Sequence, residues 1–451
     1  MLKRHRLLLK VSVLSAAAAW ALIAEPARAA TIVVNSQSDF DAAVALAIQT
    51  GHADTIDATA AGTIDAGTSL TFPAAATSVN LSFESLGIGA STGDGTVTLG
   101  AGTTVSFGQA VHPSALDMGS GHTGILNING ASLVFNVINE GNQFNIGLDG
   151  GNGIVNMTSG SVTINDSNAA AGVIGSMSIG FPFGPTAANG TFNQSGGTVS
   201  LSAGALNVGL ANGNGTYNLT DAAVLQDLGG TVDIGANPGG VGVVNISGHA
   251  TIDFESESVG FAGQLYVGDD LGVGTITQNG ANSTVILNIV NIAQFGSNIL
   301  NRSDPGGTGT YNLLAGTLRI GGLGAAFGMD TGGTGVFNQS GGNLTANAPI
   351  YIGMSGNGTY NLSGGTATLN TGLTIAALAG SVGTVNQTSG ELTIAGGNLS
   401  VGAAGTATYN LSGGILQVGG ANGITGTGNL NLGGGTLQVI GSALTTNIAT
   451  G

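Results

Sequence analysis

The sequence predicts an all-β chain, a right-handed parallel β-helix solenoid with a short N-terminal capping helix. Three observations predict it. The octet Gly358-Thr-Tyr-Asn-Leu-Ser-Gly-Gly365 recurs closely at residues 190–197, 335–342 and 383–390, and more loosely at Gly124, Gly153, Gly215, Gly242, Gly274, Gly309, Ala407 and Gly428. Its Asn stands at 127, 156, 193, 218, 245, 312, 338, 361, 386, 410 and 431, with Thr277 in its place once, at intervals of 21 to 37 residues. Self-similarity at such a period marks a stacked array. The residue before the Asn is apolar in all twelve units, from Leu126 to Leu430. Finally, 83 Gly with only 7% charged residues and a positive mean hydropathy argue against charged disorder, and the missing Gly-X-Y period excludes collagen.

Residues 1–29 read as a signal peptide. Met1–Lys10 is basic, Val11–Ala24 is an apolar run too short to span a membrane, and Ala27-Arg-Ala29 supplies the small residues of a cleavage site. Residues 30–110 read as an N-terminal cap and irregular first coils. Thr31–Asn35 is a short strand. Ser38-Asp-Phe-Asp41 resembles a capping box, and Phe40, Val44 and Ile48 keep helical spacing to a stop at Thr50-Gly51. This helix would cover the open end of the stack.

Residues 111–451 read as the repeat array. In each unit the motif strand places its apolar residue and the residue two later on one face. That later position is apolar in eight units and Gln in four: Gln194, Gln278, Gln339 and Gln387. A buried Gln is costly alone but can bond its copy in the next rung. A Gly turn leads to a second strand such as Thr366–Leu369 or Glu391–Ile394. A third piece ends in Gly, as in Leu206-Asn-Val-Gly209, Val232-Asp-Ile-Gly235 and Leu265-Tyr-Val-Gly268. Three strands and three turns make one coil, which cannot bury its apolar face alone.

The repeats resemble the passenger regions of bacterial autotransporters, the type V secreted surface proteins. The opening strand and helix, Thr31 to Ile48, resembles the N-terminal cap of pectin-lyase-like β-helices. The likeness covers about residues 30–451. It implies export from a Gram-negative cell to the outer-membrane surface or beyond, with an outer-membrane translocator barrel as partner. The sequence given ends at Gly451 in repeat-like sequence without barrel strands, so further sequence or a separate translocator is expected.

Charge narrows the partners. Beyond the leader only Arg302 and Arg319 are permanent cations, against 22 carboxylates, for a net charge of about −20. Nucleic acid and anionic membrane are excluded. With no cysteine, stability must come from stacked backbone and core.

Catalytic signals are sparse. His52, His112, His122 and His249 lack metal-ligand spacing, there is no nucleophile elbow, and no metal or cofactor is expected. In Asp253-Phe-Glu255-Ser-Glu257, alternation puts the three carboxylates on one face, a candidate glycan or cation contact, or simply a solvated face beside an inward Phe254. Asp269-Asp270 beside a Gly turn is a weaker case. Arg319, between Leu318 and Ile320, points outward. Ser178–Pro185 reads as a protruding loop, with Phe181 and Phe183 as candidate partner contacts or as residues folded back on the wall. The expectation is an exported cell-surface β-helix passenger with a structural or adhesive role, binding a host or neighbouring-cell glycan or protein, or itself. The alternative is a carbohydrate-active β-helix enzyme.

Overall fold

A computed structural model describes residues 8–10, 31–33, 36–50, 55–65, 70–72, 79–89, 93–107, 116–137, 142–166, 176–182, 184–202, 205–227, 231–255, 264–288, 293–297, 306–420 and 423–440. Among them lie one helix, α1 (Gln37–Thr50), and a parallel β-solenoid whose regular part completes about 11 turns. Every regular coil carries three strands, and each pairs in parallel with its counterpart in the next coil. Asn357–Leu362, Thr366–Leu369 and Leu373–Ile375 pair with Val382–Gln387, Glu391–Ile394 and Leu399–Val401. The rod therefore has three walls: a motif face, a second face and a third face.

The motif strand shows why the octet recurs. In Asn357-Gly-Thr-Tyr-Asn-Leu362, alternate residues from Asn357 onward are exposed or half-buried, and those from Gly358 onward are buried. The buried Gly leaves room for a corner. A Cβ on Gly215 would overlap the carbonyl oxygen of Ile179 and the amide nitrogen of Gly209. Gly209 itself has φ 71°, a left-handed conformation that lets the chain turn from the third face to the motif face. The pair recurs at Gly235 and Gly242 and at Gly353 and Gly358.

Inward, the predicted apolar positions fill the core. Val155, Phe192, Tyr217, Tyr311, Phe337, Tyr360, Val385 and Tyr409 are at most 1% exposed. Rings stack coil on coil, as in Phe192–Tyr217 with centroids 4.9 Å apart and Phe337–Tyr360 at 4.8 Å. The four Gln are buried as well, but they do not bond to one another. The coil after each Gln carries Leu at that position: Leu219, Leu313, Leu362 and Leu411. Each Gln Oε1 instead accepts the hydroxyl of a Tyr in the next coil. The pairs are Tyr217–Gln194, Tyr311–Gln278, Tyr360–Gln339 and Tyr409–Gln387, at 2.5 to 2.8 Å. Each Nε2 donates to backbone carbonyls of its own turn and of the coil beyond, Gly197 and Val224 in the case of Gln194. Every Gln is thereby satisfied, and so is every Tyr of the motif position.

Outward, the motif Asn residues form a ladder in which Nδ2 donates to Oδ1 of the preceding coil, at 2.7 to 3.0 Å from Asn156 to Asn431. Thr277 replaces one rung and accepts from Asn312 at 3.3 Å. With their amides spent on neighbours, the repeated Asn-X-Ser/Thr triplets are accounted for by stacking.

At the N-terminal end, Phe40 of α1 is 1% exposed and meets Phe83 edge-on at 5.4 Å, so the helix covers the core as expected. Its N-cap is Ser36, whose Oγ accepts the Asp39 amide at 3.3 Å; the helix starts before the expected Ser38. Leu8–Lys10 pairs in parallel with Thr31–Val33.

Two predictions follow from the Gln–Tyr pairs. Tyr360→Phe strands a buried Gln339 oxygen and is expected to lower stability by about 1–3 kcal/mol. The double change Gln339→Leu/Tyr360→Phe removes both partners and should recover most of that loss, which a denaturant-melt double-mutant cycle measures. Burial also holds the phenols of Tyr217, Tyr311, Tyr360 and Tyr409 well above their ordinary pKa. Stability is then full below about pH 10 and falls above it, by about 1.4 kcal/mol per pH unit for each Tyr. Alkaline titration of the far-ultraviolet circular dichroism should show cooperative unfolding, and a Tyr360→Phe/Gln339→Leu protein should unfold at higher pH.

Candidate functional site

The three faces differ in chemistry because each outward row repeats a different sequence position. On the second face the row runs Gln226, Asp253, Ile286, Arg319, Thr345, Thr368, Thr393, Gln417. Asp253 is half-buried within Thr251–Glu255, and Phe254 points inward at 4% exposure, as alternation predicted. The register neighbours of Asp253 are Gln226 and Ile286, neither of them a carboxylate. Glu255 ends that strand; its side chain, and Glu257 altogether, lie outside the described residues. Arg319 is exposed, as expected.

The expected protruding loop at Ser178–Pro185 is corrected. Ser176–Phe181 is a regular third-face strand, in register with Ala205–Val208, and Ile179 is fully buried. Gly180, at φ 71°, is the corner glycine of this coil and not a breaker. Phe181 is half-buried at the strand end, Phe183 lies outside the described residues, and exposed chain begins at Gly184.

Another set of acidic side chains gathers on the third face and its corner with the motif face. Asp233 stands in register between Asn207 and Tyr266, and Asp269 stands in register with Ala236 one coil earlier. Asp269 and Asp270 are 4% and 1% exposed. Burial, and then the nearby Asp269, raise the Asp233 pKa to about 7. Burial followed by Asp233, Asp269 and Asp330 raises the Tyr266 phenol. The corner is also conformationally strained. Asp270 (φ 45°) and Leu271 (φ 68°) are both left-handed, closed by the Gly272 amide on the Asp269 carbonyl at 2.8 Å. Leu271 is 40% exposed, beside Val273 and Val241 on adjacent motif strands. A carboxyl that keeps its proton near neutral pH next to a second carboxylate has acid–base capacity. Of this set the sequence signalled only Asp269-Asp270. Aligning the third-strand motifs Val232-Asp-Ile-Gly235 and Leu265-Tyr-Val-Gly268 would have brought Asp233 and Tyr266 side by side.

The core voids carry no chemistry: one is lined by Leu206, Leu225, Val244 and Ile252, another by Leu99, Val105 and Leu126, with apolar neighbours only. Among the described residues no group of three or more His, Asp or Glu is arranged to hold a metal ion. Compared with protein-family models, curated proteins and solved structures, the chain matches none.

The raised Asp233 pKa has a consequence for stability. In the unfolded chain Asp233 ionises near its ordinary value of 3.8, whereas in the fold it stays protonated to about pH 7. Its contribution is therefore full below about pH 4 and is lost as pH rises toward 7. Asp233→Asn should raise the thermal midpoint at pH 7, leave it nearly unchanged at pH 4, and flatten the difference between them. Thermal melts at the two pH values measure this.

Proposed function

We propose that the protein is an exported cell-surface β-solenoid, the passenger of an autotransporter-type system, whose role is structural or adhesive. The observation that carries this reading is the rod itself. Coil after coil presents equivalent outward polar positions on parallel strands, as at Tyr351, Thr374, Ser400 and Thr425 on the third face, and the interior voids are purely apolar. Binding would come from many weak hydrogen bonds made at once, so affinity would rise steeply with the number of engaged coils. The partner would be a glycan or protein on a host or neighbouring cell, with an outer-membrane barrel delivering the rod. The basic, apolar and small-residue segments of 1–29 support export. Antibody against residues 124–451, applied to intact and protease-shaved Gram-negative cells expressing the native gene, tests the reading. Labelling that shaving removes is the expected result, and a species confined to the periplasm would sink it.

A second reading, a carbohydrate-active enzyme, is favoured by one observation: the proximity of Asp233 and Asp269, one of them protonated near neutral pH. Paired carboxyls of that kind flank scissile glycosidic bonds. It predicts glycan cleavage by purified protein that Asp233→Asn abolishes while Asp253→Asn does not.

A further inference from the structure

Among the described residues, the outward rows of the motif face carry a single ionisable side chain, Asp94 beside the first motif strand, whose Oδ1 accepts the Thr123 amide at 2.8 Å. Twelve pairings link thirteen motif strands, from Gly95–Gly100 to Asn429–Leu432. None of these strand segments contains Asp, Glu, Lys, Arg or His at a motif position. Their outward positions hold Thr, Asn, Val and Ile: Ile125, Ile154, Thr216, Val243, Thr359 and Thr384 typify the central row. The other charges lie elsewhere: Asp253, Arg319 and Glu391 on the second face, Asp117, Asp233 and Asp269 on the third, Asp149, Asp221 and Asp330 in turns. In a chain of formal net charge −16, one wall of three is uncharged among the described residues from the coil of Thr123 to that of Leu432.

We propose that this face is the docking surface for a second copy of the same chain, two rods packing motif face to motif face. Three arguments select that occupant. Electrostatically, the acidic walls of two rods repel, so the neutral wall is the approach of least cost. Geometrically, twelve spacings of about 4.8 Å give a length of about 58 Å, and the three outward positions span about 13 Å. The footprint is then about 750 Å² per rod, or about 1,500 Å² for the pair, within the range of stable protein interfaces. Chemically, the Asn row is already hydrogen-bonded along the rod, so covering it does not strand every amide. The row on the other side of the centre supplies apolar contact, with Val241, Val273 and Val382 38 to 45% exposed. Two parallel sheets of one period can interlock side chains as the sheets of a sandwich do. The proposal depends on the fold and the distribution of charge alone, and is independent of where the protein resides.

The test is sedimentation velocity of the purified full chain over a concentration and salt series. Wild type should form a dimer, and the dimer should tighten with salt as the acidic walls are screened. Thr359→Lys/Thr384→Lys, on the motif face, should weaken dimerisation by about tenfold or more by burying unpaired ammonium groups in the interface. Thr345→Lys/Thr368→Lys, which adds the same charge to the second face, should not weaken it. A wild type monomeric at every soluble concentration overturns the proposal, as does equal sensitivity of the two variants. Because the chain has no cysteine, a second measurement covers a lysine variant that fails to fold. Oxidation of Thr275→Cys, at the middle of the motif face, should give a disulfide-linked dimer, and Thr368→Cys should not. The reverse pattern refutes it.

Discussion

Each coil depends on the next presenting its backbone donors and acceptors in the same register. The corners constrain that register sterically, because they leave no room for a side chain. Where Gly209 turns with positive φ, the following coil must bring a residue without a Cβ against it, and Gly215 and Gly242 do so. A shift of one residue would place a side chain in that corner and would also turn the apolar set outward. The octet can thus be read as a steric constraint first and a packing pattern second. Its Gly fits the corner, its apolar residue enters the core, and its Asn joins the ladder.

Much of this was legible from one chain because alternation along a strand and repetition between strands are both periodic. The burial of the residue before the motif Asn from Leu126 to Tyr409, the three-strand coil and the capping helix were all readable in that way. What escaped depended on relations between coils. The reading that Gln can bond its copy treated each unit as alike, although no two Gln coils are consecutive and every motif Tyr follows a Gln coil. Ser178–Pro185 was misread because Gly180 and Pro182 resemble breakers in isolation; in register, Gly180 is equivalent to Gly209. Asp253 was legible as an outward residue, but its neighbourhood was not. Asp233 and Asp269 are separated by a whole coil in sequence and become neighbours only through stacking. The start of α1 was displaced because Ser36 and Ser38 are both competent caps, and the hydroxyl facing Asp39 is settled by geometry.

The distribution of charge follows from the same architecture. A position repeated in every coil makes a continuous row, so a carboxylate there would face its own copies about 4.8 Å away. Amides suit such a row because each is donor and acceptor at once. Isolated acids are tolerated at positions where neighbouring coils differ, as at Asp253 between Gln226 and Ile286. Where two acids do come close, at Asp233 and Asp269, burial and mutual repulsion keep a proton in the fold. Chemistry therefore concentrates where the repeat departs from itself.

The Gln–Tyr contacts bear on how such an array can grow. A coil containing Gln339 is complete only when the following coil contributes a phenol, and a coil bearing Tyr360 fits only above one that supplies an acceptor. Duplication or loss of a single coil at that junction would separate the partners and leave a polar atom in the core, whereas copying both together would carry the match along. In the stretches that use Gln, the smallest unit that can be copied without stranding a polar atom is a doublet of coils.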